Sequence, residues 1–149
     1  MTALVSKYAT TNAVRQMALR MEISQRDEIK LMETWLTDRG QPIEMPMGSM
    51  GGMHHDGMHH EMVGGLHVMP GMLTAEQMEA LANARGMEFD RLFLEGMIQH
   101  HQGAIDMVAT LLNSPGAAQE STIFQFAEDV DADQQMEIER MRGILNQLR

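Results

Sequence analysis

An all-α bundle is the fold class the sequence predicts, and three observations carry it. Apolar residues recur at helical spacing in three long segments, a short segment opens with a capping pattern, and no stretch alternates with a strand period. The expected architecture is an up-down bundle of three long helices plus one short helix, a single domain over 1–149. A flexible loop rich in Met, His and Gly is expected within it at 41–73.

The first helix is expected from about residue 4 to Asp38, a run without Gly or Pro in which Val14, Met17, Ala18, Met21, Met32, Trp35 and Leu36 keep helical spacing. Gly40 and Pro42 stop it. The short helix spans 74–84, opened by the capping-box pair Thr74 and Gln77 and closed before Gly86. The third runs from about Glu88 to Leu112, where Asn113-Ser114-Pro115-Gly116 breaks the pattern, and the last covers about 117–148. Residues 45–72 differ in kind: these 28 positions hold eight Met, five His and seven Gly, a density of glycine that cannot sustain a helix.

An internal repeat links the first and last helices. A shift of 109 positions superposes Gln16, Ala18, Gln25, Glu28, Ile29, Met32 and Leu36 on Gln125, Ala127, Gln134, Glu137, Ile138, Met141 and Leu145. The two helices are therefore expected to play equivalent parts.

Composition narrows the chemistry. With 149 residues the chain can bury a core without covalent staples. Subtracting 21 Asp+Glu from 11 Lys+Arg leaves a net charge of -10, the wrong sign for nucleic acid or anionic lipid and the right one for cations. The absence of cysteine removes disulfides, thiolate metal sites and cysteine nucleophiles. No 18-residue apolar stretch could span a membrane, and the first residues carry no secretory signal. Against this background stand 18 methionines and seven histidines.

The loop carries the sharpest pattern: Met47, Met50, Met53, His54, His55, Met58, His59, His60, Met62 and then His67. Thioether with imidazole and no thiolate suits Cu(I), with Ag(I) as its mimic and Cu(II) as the secondary option; hard cations want carboxylates. A disordered linker with incidental methionines is the plain alternative. On a helical wheel centred on Met97, His100 and His101 straddle the apolar stripe, and neither is expected to face open water. Gln134 with Glu137 on the last helix, and Gln25 with Glu28 on the first, put a polar pair in each opposing seam.

Such buried groups need partners. Glu28 and Glu137 could accept hydrogen bonds from His100 and His101 as a register-setting network, or the carboxylates could orient imidazoles that bind metal beside Met97, Met32 and Met141. Met17, Met78, Met87 and Met107 are expected to fill the core, and Met136 falls off the apolar face. Glu128, Asp129, Asp131 and Asp133 are read as a solvated helix face. Neither Glu-x-x-His pairs nor a phosphate loop or nucleophile elbow occurs, so a binding protein is expected rather than an enzyme.

The string Phe89-Asp90-Arg91-Leu92-Phe93-Leu94-Glu95-Gly96-Met97-Ile98-Gln99-His100-His101-Gln102-Gly103-Ala104-Ile105 resembles the signature of the domain-of-unknown-function 305 family. Gln134, Glu137, Ile138 and Met141 resemble its second motif, and Met69-Pro70-Gly71-Met72-Leu73-Thr74 the linker before the signature helix. The resemblance spans roughly 12–148 and implies a ferritin-like four-helix bundle, found mostly in exported or membrane-tethered bacterial proteins, some tied to copper binding and resistance. It implies a periplasmic or extracellular setting and copper donor or acceptor proteins as partners. It carries metal-site roles to Met97, His100, His101, Glu137 and Met141, with Glu28 and Met32 as repeat counterparts. One departure stands out: the family's two-repeat members carry a Met-Ile-x-His-His helix in each half, and here the first half starts after that helix would end. The expected consequence is uncovered apolar surface and self-association.

Overall fold

The computed structural model describes residues 1–43 and 69–148. The described residues form five helices: α1 (Thr2–Tyr8), α2 (Asn12–Asp38), α3 (Ala75–Asn83), α4 (Gly86–Asn113) and α5 (Ser121–Gln147). All-helical architecture is as expected. The expected first helix, however, is two, because Ala9 is extended (φ -66, ψ 138) and the chain turns before α2.

Asp90 makes that break. Its buried carboxylate accepts from the Thr10 backbone N–H at 3.1 Å, the Thr10 hydroxyl at 2.8 Å and the Thr11 backbone N–H at 2.9 Å. Thr11, the N-cap of α2, makes no capping bond with its own side chain, so the negative charge next to the α2 N-terminus comes from α4 instead. Arg15 closes the corner by donating to the Ala9 carbonyl at 2.6 Å. At α3 the expected capping box is present, with the Gln77 backbone N–H donating to the Thr74 hydroxyl and the Gln77 side chain accepting from the Thr74 backbone. The last helix begins at Ser121 rather than near 117, after a turn in which Gly116 and Ala118 take positive φ.

Helix directions follow from the contacts. Trp35 and Arg39 at the end of α2 bond to Glu120 just ahead of α5, and His101 in α4 bonds to Glu137 in α5, so α5 runs antiparallel to both. Gln77 of α3 bonds Gln99 of α4, and Leu73, ahead of α3, lies over Gly96. The short α3 thus lies against the first half of α4 only.

That placement gives the molecule two unlike ends. At the closed end, covered by α1 and α3, the core holds Val5, Val14, Met17, Met21, Leu81, Phe89, Phe93, Leu94, Met97, Ile138 and Met141. Tyr8 meets Phe89 edge-on at 5.7 Å, and Phe89 stacks on Phe93 at 6.2 Å, both ordinary aromatic spacings. At the open end α2, α4 and α5 have no fourth helix among the described residues. Ile29, Leu31, Met32, Met107, Leu111 and Phe124 are exposed there. Met17 fills the core as expected, whereas Met78, Met87 and Met107 are exposed: helical spacing gives the angle of a side chain but not whether a neighbour covers it.

Candidate metal centre

A polar layer separates the two ends. His101, fully buried at 0% exposure, pairs through Nε2 with Glu137 Oε2 at 2.6 Å, a short bond between α4 and α5. Its other ring nitrogen, Nδ1, is buried and has no hydrogen-bond partner. An orphaned buried nitrogen is costly, so it is the first atom in the molecule to question for a ligand.

Two thioethers flank the pair. Met97 stands one helical turn before His101, and Met141 one turn after Glu137; because the helices are antiparallel, both fall on the closed-end side of the layer, and both are buried. Gln134, one turn before Glu137, is buried as well. Of the expected grouping, the structure shows the His101–Glu137 bond; Met97 and Met141 are buried one helical turn away on the same two helices.

Glu28 joins this layer without bonding to either histidine. Its Oε1 accepts from the Ser24 hydroxyl at 3.2 Å within α2. Burial raises the pKa of Glu28 above the usual carboxylate value; the Ser24 bond opposes this, the charges of Asp133 and Glu137 add to it, and His101 opposes it. The expected bond from His100 to a seam carboxylate is absent. His100 is exposed, contrary to the expectation that neither histidine faces water, since its side of α4 has no long helix against it. The two rings lie 6.1 Å apart, edge to face. Desolvation of the ring face turned toward the protein, and then His101, lower the His100 pKa below that of a free imidazole.

Met32, the repeat counterpart of Met141, is 40% exposed at the open end. The residues expected from the sequence as further ligands, Met47, Met50, Met53, His54, His55, Met58, His59, His60, Met62 and His67, lie outside the described residues. Glu128, Asp129 and Asp133 are exposed, as a solvated face requires, and Asp131 is half-buried. No group of three or more His, Cys, Asp or Glu side chains able to hold a metal occurs among the described residues.

One positioning residue escaped the sequence reading. A Cβ at Gly103 would come within 2.2 Å of the Pro70 carbonyl oxygen, and one at Gly71 within 2.8 Å of the Gln99 and His100 carbonyl oxygens. The Pro70–Gly71 segment therefore crosses α4 at backbone contact, directly over the histidine turn. Gln99 pins it, donating to the Met72 carbonyl at 3.0 Å. The signal was the Gly two residues after the histidine pair, in a helix interior where Gly costs about 1 kcal/mol relative to Ala.

Fold and site together define a helical bundle in which a fully buried histidine pairs with a half-buried glutamate, with two buried thioethers on one side of the pair. The chain belongs to the DUF305 family, a domain of unknown function, whose family model matches residues 1–145. A DUF305 fragment from Deinococcus radiodurans is similar in structure, with a TM-score of 0.73 and 27% identity over 98% of this chain and 83% of that one. A DUF305 protein from Streptomyces coelicolor, described as a candidate secreted protein, superposes with a TM-score of 0.75 at 23% identity, covering 99% of this chain and 82% of that one. No functionally curated protein matches the chain. No described helix is long and apolar enough to cross a membrane.

Proposed function

We propose that this protein binds soft metal ions, Cu(I) foremost with Ag(I) as its mimic and Cu(II) as the secondary option, and serves copper sequestration, resistance or handover to a copper donor or acceptor protein. The observation that carries the reading is His101: Glu137 fixes one ring nitrogen, while the other is buried without a partner within one helical turn of Met97. A carboxylate holding one imidazole nitrogen while the other is free is the arrangement by which proteins orient a histidine ligand. Met97 and Met141 are soft donors suited to Cu(I), while Glu28, Met32 and His100 border the same layer. The Met/His run at 45–67 would capture the ion from solution, since its spacing offers thioether and imidazole donors in many combinations.

The role is binding rather than turnover. A periplasmic or extracellular setting fits the cysteine-free composition, because copper oxidises thiols there. Within a ferritin-like plan, α3 takes the place of a fourth helix, and the apolar side chains at the open end, Ile29, Leu31 and Phe124, favour self-association.

The 2.6 Å His101–Glu137 bond also favours a second reading, a helical interaction module in which the pair only sets register. Chelator competition under reducing conditions separates the two. The metal-binding reading expects Cu(I) affinity to fall when the loop methionines become Leu and its histidines Ala, and to fall again with His101→Ala. It also expects Cu(I) to raise the Tm. Unchanged affinity in both variants, with no metal-dependent Tm, leaves only the structural role.

A further inference from the structure

The segment crossing α4 is itself organised for binding. Met69, Pro70, Gly71 and Met72 form a tight turn: the Met72 backbone N–H donates to the Met69 carbonyl at 3.1 Å, and Gly71 has φ 78. Proline at the second position with a positive-φ glycine at the third is the signature of a type II turn, which holds its first and fourth Cα atoms within about 7 Å. Those two corners are methionines. Both are exposed, Met69 at 58% and Met72 at 51%, although thioethers with so much surface in water contribute little to packing.

Nor is the turn free to reshape. The Gly71–Gly103 crossing locks it on α4, and the bond from Gln99 to the Met72 carbonyl fixes its far corner; Gln77 of α3 holds Gln99 in turn at 2.8 Å. The His100 carbonyl lies directly beneath Gly71, and the exposed His100 ring leaves α4 at that same turn.

We propose that the Met69–Pro70–Gly71–Met72 turn is a second soft-metal site, a thioether clip that takes Cu(I) or Ag(I) between the two methionine sulfurs, with His100 as the imidazole that completes it. The clip rests on the soft-metal reading above and adds to it a location, on the surface of α4 beside the turn that carries the buried His101. Two donors on a rigid turn bind as one chelating unit, because the ordering cost is met in folding rather than in binding. An ion held there by His100 is one residue along the chain from the buried imidazole.

The test is an Ag(I) titration of the full chain labelled with [methyl-13C]methionine, its methyl signals assigned by single Met→Leu variants. The clip requires the Met69 and Met72 methyls to shift together and saturate in one step. Met69→Leu should weaken silver's effect on Met72 by about 100-fold, the gain expected from linking two ligands. His100→Ala should weaken the pair further. Gly71→Ala keeps every donor but meets backbone at 2.8 Å in a positive-φ position, so it should loosen binding severalfold with the helix content intact by circular dichroism. Methyls of Met69 and Met72 that stay still, or that move in steps independent of each other, overturn the clip. The same spectra read the other proposed sites separately through the methyls of Met47, Met50, Met53, Met58, Met62, Met97 and Met141: their movement alone would overturn the clip while supporting the wider reading, and movement of Met69 and Met72 alone would support the clip while removing the Met/His run and the His101 layer as sites.

Discussion

The closed and open ends of the bundle use the same sequence motif to opposite effect. Gln25, Glu28 and Met32 on α2 repeat Gln134, Glu137 and Met141 on α5, and both glutamates reach the one polar layer around His101. The two helices run in opposite directions, so the methionine one turn after each glutamate points to opposite ends. Met141 enters the closed end and is 0% exposed, while Met32 enters the open end and is 40% exposed. Identity of sequence fixed the spacing of the motif; direction and the neighbouring helix decided its environment. Duplicated helices that pack antiparallel cannot share one environment unless both ends are equally covered, and here α1 and α3 cover only one.

The largest contrast should appear in stability. Met141→Ala leaves a cavity in a closed core and should cost about 2–5 kcal/mol, whereas Met32→Ala should stay within about 0.5 kcal/mol, both read by urea denaturation. Equal losses would mean the open end is covered in solution, as self-association would do. Breaking the layer comes next. Glu137→Ala strands the buried His101 ring and should cost about 1–3 kcal/mol, and a double-mutant cycle with His101→Ala should show strong coupling between the two positions.

The smallest effect is a pH dependence at Glu28. Its folded pKa lies above the ordinary carboxylate value, so the folded state binds the proton more tightly than the unfolded chain. That contribution is complete below the unfolded pKa and is lost as pH rises through the folded one. Glu28→Gln removes the charge, so its Tm should gain on the wild type as pH rises from about 4 toward neutrality. A gap that narrows over that range would contradict the sign.

Much of this contrast was visible in the residues. The capping box at Thr74, the stop after Asn113 and the repeat follow from spacing along single helices, and the helical wheels put His101 and Glu137 on the apolar seams of their helices. What spacing could not give was anything decided by a distant partner. The break at Ala9 has no Gly or Pro to announce it and is made by Asp90, 80 residues from Thr10. His100 sits at nearly the same height on α4 as His101, yet one is buried and the other exposed, because only one side of α4 meets α5. The role of Gly103 depends on Pro70 crossing from outside the helix, which no helical wheel contains.

The most direct test of soft-metal binding is anomalous diffraction at the copper edge from crystals of the Cu(I)-loaded protein. The account predicts copper bound to methionine sulfur and histidine nitrogen, with one peak at His101 beside Met97 and Met141 and others among the Met/His run at 45–67. Copper absent from every methionine and histidine, with the His101–Glu137 bond unchanged, would contradict it.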